Sequence, residues 1–361
     1  MEKNNKVLLG MSGGTDSSVA ALLLQDAGYE VTGITFRFYE KDNDTTYLDD
    51  ARELCEKLHI PHIIYDVRQL FQEQIISYFI KEYMEGHTPV PCTLCNNYLK
   101  WPLLAQVADE WGIYHFATGH YARVQRPEGV DGPTELLRGI DPGKDQSYFL
   151  HRLSQEQIAR VLFPVGNMFK TDVRRIAEEI SLPNAKKKDS TGICFIGERP
   201  FREFLNRDLP TQPGPIRTPD GKVVGEHVGL AFYTLGQRKG IGVGGQHDST
   251  GEPWFVAKKD LKTNTLWICQ GHDHPWLLSH ELICVRPSWI SGHAPEPNTP
   301  VTVRTRYRQP DEPTRLAAVG AQAFTLDCTD SPQWAATPGQ SAVLYQGDVC
   351  LGGGFIDVVE R

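Results

Sequence analysis

Lys6-Val7-Leu8-Leu9-Gly10-Met11-Ser12-Gly13-Gly14-Thr15-Asp16-Ser17-Ser18 is the stretch on which the fold turns. Lys6–Leu9 is a short apolar run that reads as a buried strand. Asp16–Ala27 reads as a helix, with Val19, Leu22 and Leu23 on one face and Gly28 just past its end. The glycines between them let the backbone approach phosphate oxygens closely. Hydroxyls and the free amides at the helix start supply donors, and the helix dipole favours an anion. No lysine precedes the final serine, so this is not a Walker A loop, and the three-glycine spacing of a dinucleotide-binding turn is also missing. A plain glycine turn capped by Asp16 is the weaker alternative, because strand, loop and helix follow in the order phosphate binding requires.

Outward from this loop, strand patterns at Glu30–Phe36, His62–Val67 and His115–Thr118 alternate with helical patterns at Leu48–Leu58, Gln69–Met84 and Asn96–Trp111. That order predicts an α/β fold, a doubly wound parallel sheet with ligands at the carboxyl ends of its strands. Near residue 205 the texture changes. Leu209–Pro219 holds Pro210, Pro213, Pro215 and Pro219, and glycine stays dense through Gly251, which fits a linker or small irregular domain. Short alternating runs at Val301–Tyr307, Arg315–Val319, Ala342–Gln346 and Val349–Phe355 predict a C-terminal β-barrel. The expected units are therefore residues 1–205, 206–278 and 279–361.

At 361 residues the chain exceeds what one compact core holds. It is 40% hydrophobic and 23% charged, and 45 acids against 37 bases leave a formal charge of −8. A surface coated in basic residues is excluded, but a local basic patch is not. Lys170, Arg174, Arg175 and Lys186–Lys188, with Arg304, Arg306 and Arg308, are the candidates. The polar start runs straight into a strand and no apolar run reaches bilayer length. The expectation is a cytoplasmic chain without secretory leader or membrane partner.

Eight cysteines in such a chain read as buried, metal-binding or catalytic thiols, not as a disulfide framework. Cys95, in Pro91-Cys92-Thr93-Leu94-Cys95-Asn96, lies where a loop gives way to a helix, a position expected to favour the thiolate. Cys194 follows Lys186–Lys188 in a polar loop, and those cations are expected to do the same. Cys55 lies in a helical pattern and reads as a buried thiol, while Cys269, Cys284, Cys328 and Cys350 fall in β patterns and read as structural. Zinc is the rival for Cys92 and Cys95, but no second Cys-x-x-Cys exists and His87 and His120 lack finger spacing.

Ser-Gly-Gly-x-Asp-Ser resembles the loop of the ATP pyrophosphatases, which cleave ATP between its α- and β-phosphates. Several longer strings accompany it: Leu-Cys-Asn (94–96), Thr-Gly-His-Tyr-Ala-Arg (118–123) and Gly-Lys-Asp-Gln-Ser-Tyr-Phe-Leu (143–150). Asp-Ser-Thr-Gly-Ile-Cys-Phe-Ile-Gly-Glu-Arg (189–199), Tyr-Thr-Leu-Gly-Gln-Arg-Lys-Gly (233–240), Arg-Tyr-Arg-Gln (306–309) and Thr-Pro-Gly-Gln-Ser-Ala-Val (337–343) follow in order. Over nearly its whole length the chain resembles the bacterial tRNA-specific 2-thiouridylases, the MnmA family.

The resemblance implies an adenine nucleotide alpha hydrolase-like catalytic domain that activates C2 of a tRNA wobble uridine with ATP and Mg2+. It implies that Cys194 carries persulfide sulfur from an upstream sulfur-relay donor, and that Cys95 is the second catalytic thiol, joined transiently to Cys194 as a disulfide. It assigns the nucleotide to Gly10, Met11, Ser12, Gly13, Gly14, Thr15, Asp16, Ser17, Phe36 and Gly119, with Asp16 serving magnesium. Phe36 is equally well a core aromatic. It assigns tRNA to His120, Lys144, Asp145, Gln146, Arg306, Tyr307 and Gln340.

One departure stands out. The family's base-contacting loop normally reads Asn-Pro-Asp, and here it is Val90-Pro91-Cys92, which removes two polar contacts and adds a candidate resolving thiol. The alternatives are an ATP-dependent amidating ligase on the same loop, which needs no paired cysteines, and a non-catalytic tRNA- or sulfur-carrier-binding paralogue.

Overall fold

A computed structural model of the chain describes residues 3–39, 45–127, 132–187, 192–196, 209, 211–244 and 251–360. Lys188 and the two ends of the 189–199 string lie outside the described residues.

β1 (Lys6–Gly10) leads through the glycine loop into α1 (Thr15–Asp26), and β2 (Glu30–Arg37), α2 (Thr46–Lys57) and β3 (His62–Asp66) follow. A broken helical run then spans α3 (Arg68–Phe71), a π-turn at Gln72–Ile76 and α4 (Ser77–Met84). The short helix α5 (Pro91–Cys95) opens with proline at its first turn and passes through a second π-turn, Asn96–Lys100, into α6 (Trp101–Glu110). β4 (His115–Thr118) and a short strand at Val161–Leu162 complete a parallel sheet.

In the sheet, β2 and β3 lie on one side of β1, while β4 and Val161–Leu162 lie on the other. The chain direction of travel therefore reverses between β1 and β4. That reversal opens a crevice at their carboxyl ends, where the glycine loop sits. Apolar strand runs explain the burial: Val7, Leu8, Leu9 and Ile34 are fully buried, as a sheet covered on both faces requires.

Within the stretch expected to be irregular, the described residues form a four-stranded sheet. Gly214–Arg217 lies parallel to Thr265–Gln270 and antiparallel to Val223–His227, despite Pro215. The barrel is built from six strands and closes by pairing Glu281–Trp289 with Val349–Glu360. Its strand at Pro300–Arg304 stops short of the expected Tyr307, because the chain turns there and Arg308 takes a left-handed conformation at φ 67°. The turn frees Arg306 and Tyr307 from the sheet.

A hairpin of the first unit, Ala122–Gln125 with Glu135–Arg138, adds to the barrel's edge through Leu137↔Val349 and Leu136↔Cys350. The barrel and the nucleotide-type sheet are thus one hydrogen-bonded body. No helix among the described residues is long and apolar enough to cross a membrane.

Candidate active site

The glycine loop is held from several sides. Gly13 takes φ 71°, and a Cβ there would lie 2.9 Å from both Asp50 Cβ and the Tyr47 carbonyl oxygen. Asn184 Nδ2 donates to the Gly13 carbonyl and to Ser18 Oγ, each at 3.2 Å, while Thr15 Oγ1 donates to the Asn184 carbonyl at 2.9 Å. Ser12 and Ser17 hydroxyls lie 3.2 Å apart, and Ser17 and Ser18 both donate to the Gly14 carbonyl at 3.0 Å. Most hydroxyls are thus turned inward to fix the loop. The donors left outward are the amides at the start of α1, whose Ncap residue Gly14 makes no side-chain cap. Met11 is buried at 2% exposure and packs beneath the loop.

Asp16 does not stand alone. Lys170 Nζ donates to its Oδ1 at 2.6 Å and the Tyr121 hydroxyl donates to the same oxygen at 2.7 Å. Lys170 is therefore no part of an open basic face; its side chain is 9% exposed and spent on Asp16. Gly119 touches the same junction, where a Cβ would lie 2.8 Å from the Asp16 carbonyl carbon and the Ser17 nitrogen. Phe36 is 7% exposed and its ring packs toward Phe38 and Tyr65, which is core packing and not an open adenine shelf.

The thiols sit beside this crevice. Cys92 and Cys95 share α5, and the Tyr39 hydroxyl donates to the Cys194 carbonyl oxygen at 2.6 Å. Phe195 packs edge-on against Phe71 and Phe79, and all three share the core with Leu94 and Cys95. Two chains of contact lead back to the loop. Tyr39 stacks on Tyr47, which abuts Gly13; His120, beside Gly119, lies 5.8 Å from Trp101 next to Lys100. The nucleotide loop and the thiol segments therefore both lie toward the carboxyl ends of the strands.

Their electrostatics differ from the sequence expectation. Cys95 ends α5 instead of opening a helix, and burial pushes its thiol up to about 12. Burial pushes Cys92 up to about 11. Cys194 is exposed to solvent, yet enough protein surrounds it for burial to raise its pKa as well. Among the described residues the cation facing all three is Lys100, and neither Lys186 nor Lys187. Burial works to lower the Lys100 pKa, but the charges of Cys95, Cys194 and Cys92 raise it overall. All eight cysteines are free, and the only cluster at metal-ligating distance among the described residues is Glu82, Glu85 and His87. Nothing there supports zinc on Cys92 and Cys95. As expected, Cys55 is buried in the sheet's second core.

His120 accepts or donates to Thr118 Oγ1 at 2.7 Å, and burial followed by Lys100 drives its pKa down to about 3, so it stays neutral. Tyr307 packs against Phe149 with the rings tilted by 45° and their centroids 4.4 Å apart. Lys144 is half-buried at the turn before Asp145. Four residues expected on tRNA also bond within the protein. Asp145 is 5% exposed, accepts from the Gly139 and Ser147 amides and pairs with Arg304 at 3.2 Å. Gln146 Oε1 accepts from the Tyr121 amide at 3.0 Å. Gln340, also buried, donates to the Thr88 carbonyl at 2.6 Å and braces the segment leading to α5. Arg306 reaches the Leu235 and Ala335 carbonyls and Thr337 Oγ1, joining the barrel to the central sheet.

The expected basic face is largely neutralised. Arg175 pairs with Asp172 and Glu179, Lys187 with Asp50, and Arg304 with Asp311. Lys100, Tyr121 and Asn184 were not singled out from sequence, and Lys170 was read there as part of a basic face and not as the partner of Asp16. Only Lys100 left a signal, as the cation five residues after Cys95 on a helical pattern. Thr93 Oγ1, Asn96 Oδ1 and Trp101 Nε1, on the same helical run, are buried without a hydrogen-bond partner.

Family models match three successive stretches: a tRNA methyl transferase HUP domain over residues 5–198, a tRNA methyl transferase PRC-barrel domain over 202–270 and an aminomethyltransferase beta-barrel domain over 279–356. The tRNA-specific 2-thiouridylase MnmA of Ralstonia pickettii (strain 12J) is 54% identical over 361 residues, covering 98% of this chain and 96% of that protein. That of Cupriavidus metallidurans (strain ATCC 43123 / DSM 2839 / NBRC 102507 / CH34) is 53% identical, covering 97% of this chain and 99% of its own. Among solved structures, the U34-tRNA thiolase NcsA from Methanococcus maripaludis with its [4Fe-4S] cluster is 19% identical at a TM-score of 0.37, covering 57% of this chain and 64% of that one.

Proposed function

The chain belongs to the tRNA-specific 2-thiouridylase family, and we propose on that premise how its residues insert sulfur at C2 of a tRNA wobble uridine. The activity is ATP-dependent 2-thiolation of tRNA, a sulfurtransferase reaction. ATP lies with its phosphates on the outward amides of α1. The uridine C2 oxygen attacks the α-phosphorus, pyrophosphate leaves, and N3 gives up its proton. A uridine carbonyl is a poor electrophile, and adenylation turns its oxygen into a leaving group.

Cys194 carries the incoming sulfur as a persulfide received from a donor protein of the persulfide-relay class. The terminal sulfur attacks C2, the C2–O bond breaks, and AMP leaves with the electron pair. Cys95 then attacks Cys194 Sγ. The S–S bond to the base breaks, its electron pair goes to the 2-thiouridine sulfur, the proton returns to N3, and a Cys95–Cys194 disulfide forms. A dithiol reductant restores both thiols. Exposure of Cys194 suits loading by a protein donor, while burial of Cys95 keeps the second thiol from premature oxidation.

Magnesium fits Asp16 as one carboxylate beside phosphate oxygens and water, the usual habit of this ion. Asp16 Oδ1 already takes Lys170 and Tyr121, so its other oxygen is the one to serve the metal. When bound, the ion neutralises charge on the departing pyrophosphate. Lys170 neutralises Asp16 without it.

The base leaves the anticodon stack to reach this crevice. Thr93 and Asn96, whose buried oxygens lack partners, are the polar groups offered to it in place of the family's Asn and Asp. His120 and Tyr307 line the approach, and the reaction belongs in the cytoplasm.

What supports this reading is that Tyr39, just past the end of β2, holds the Cys194 carbonyl and Phe38 packs under Lys100 of the Cys95 helical run, on the side of the sheet where the α1 loop lies. Incubating the protein with ATP, a persulfide source and unmodified tRNA is expected to yield 2-thiouridine and AMP, with Cys194→Ala giving none. Product from Cys194→Ala would overturn the assignment of the sulfur carrier. Pyrophosphate release that needs an amine in place of tRNA would support the ligase instead.

A further inference from the structure

Lys100 is the last residue of the π-turn that follows Cys95, and π-turns recur where a helix must aim a side chain at a functional site. The wider turn brings residue 100 back over residue 95. Its ammonium lies 5.9 Å from the centroid of the Phe38 ring, and Phe38 adjoins Tyr39, which holds the Cys194 carbonyl. Lys100 therefore stands between the helix that carries Cys92 and Cys95 and the strand end that anchors Cys194. It is half-buried, and no carboxylate among the described residues lies within ion-pair distance of it. A half-buried ammonium without a counter-ion is costly unless an anion arrives.

We propose that Lys100 is the positioning cation of the sulfur relay, the shared counter-ion for whichever sulfur is anionic at each step. The inference rests on the sulfur-transfer reading above. The relay creates three anions in turn: the Cys194 persulfide, the Cys95 thiolate and the departing 2-thiouridine sulfur. In the free protein each thiol is held protonated by burial, so a fixed positive charge is what makes ionisation accessible when substrate arrives. The groups facing Lys100 are Cys92 and Cys95 from α5, Cys194 from its loop and His120 from beyond β4. The imidazole stays neutral there, which leaves Lys100 as the one cation these sulfurs share among the described residues.

The test compares Lys100→Met with Lys100→Arg in the full chain without tRNA. Iodoacetamide alkylation of Cys194 and Cys95 is followed peptide by peptide across pH. Lys100→Met is expected to move both alkylation profiles to higher pH and to slow the reaction about tenfold at neutral pH, the factor for one pKa unit. Lys100→Arg, which keeps the charge, is expected to stay within about threefold of the parent. In single-turnover thiolation, Lys100→Met is expected to lower the rate with the KM for tRNA unchanged. An unshifted profile in Lys100→Met overturns the proposal. So does a Lys100→Arg protein that melts like the parent yet alkylates like the methionine variant. Alkylation needs no ATP or tRNA, so failure of the thiolation reading would leave this outcome independent.

Discussion

The nucleotide loop and the thiol pocket both lie toward the carboxyl ends of the strands, but they are built in opposite ways. The loop is neutral and finished: Asp16 has Lys170, the hydroxyls bond inward, and the groups presented to a ligand are backbone amides. The pocket is unfinished: three protonated thiols face a cation that has no carboxylate beside it among the described residues, next to polar atoms lacking partners. Amides fixed by a strand-to-helix turn recognise any phosphate chain and need no charge change. Sulfur chemistry must pass through anions, so that side is held short of charge until substrate brings it. Pre-organisation belongs to the first half and latent charge to the second.

The hardest way to break the contrast is at Gly119, where there is no space for a methyl group against the Asp16 and Ser17 backbone. Gly119→Ala is expected to cost about 1–3 kcal/mol of stability by overpacking and to weaken ATP binding more than tenfold. Cys194 alkylation should be unchanged. Calorimetric ATP titration beside peptide-resolved alkylation checks both, and coupled losses would mean that the two halves are one unit.

Asn184→Ala acts on the same half more gently. It removes two hydrogen bonds and leaves the Gly13 carbonyl and Ser18 hydroxyl to find others, a loss of about 1–3 kcal/mol. The expected result is a raised KM for ATP with little change in KM for tRNA. A uniform fall in kcat instead would place Asn184 in the chemistry.

The loop was legible because its function lies in chain order: apolar strand, glycines, helix start. The same holds for β4, read at His115–Thr118 and found there. The hairpin at Ala122–Gln125 and Glu135–Arg138 was missed because its partner is the barrel, more than two hundred residues away in sequence. The thiols were found but their charge state was inverted, since burial comes from Phe71, Phe79 and Phe195, which meet only in the fold. Asp145, Gln146 and Gln340 carry polar side chains that look like RNA contacts in a sequence. What the sequence cannot display is that each also bonds within the protein, to the Gly139 amide, the Tyr121 amide and the Thr88 carbonyl.

The segment that delivers α5 has its own pH dependence. His87 Nδ1 lies 2.9 Å from Glu82 Oε2, and that hydrogen bond raises the His87 pKa. Burial pushes Glu82 up, but hydrogen bonds from His87 and Tyr78 outweigh it and leave its pKa lowered. A raised histidine pKa adds stability fully present below its unfolded value of 6.5, lost as pH rises through the folded value. A lowered glutamate pKa adds stability present above its unfolded value of 4.5 and lost as pH falls through the folded one. The pair is therefore strongest between those limits. Thermal melts from about pH 6 to pH 8 are expected to lose less than about 1 kcal/mol, and His87→Gln should flatten that slope. An unchanged slope in the variant would assign it to other groups.

Cys92→Ser is expected to have the smallest effect, and it sharpens the contrast most finely. Cys92 is half-buried, its thiol is held up to about 11, and the transfer steps use only Cys95 and Cys194. With a dithiol reductant in excess, turnover should stay within about twofold of the parent, because a protonated thiol is a poor nucleophile. Without reductant the outcomes divide. Cys92 lies three residues before Cys95 on one helix, a spacing that permits exchange with a Cys95–Cys194 disulfide. Such exchange would release Cys194 for reloading and leave the oxidation between Cys92 and Cys95. One product per chain in both parent and variant, with peptide mapping finding only Cys95–Cys194, makes Cys92 a bystander that replaces a polar base contact. A Cys92–Cys95 disulfide after that single turnover in the parent, with Cys194 again open to persulfide loading as it is not in Cys92→Ser, makes it the resolving thiol, and the pocket then has three working sulfurs.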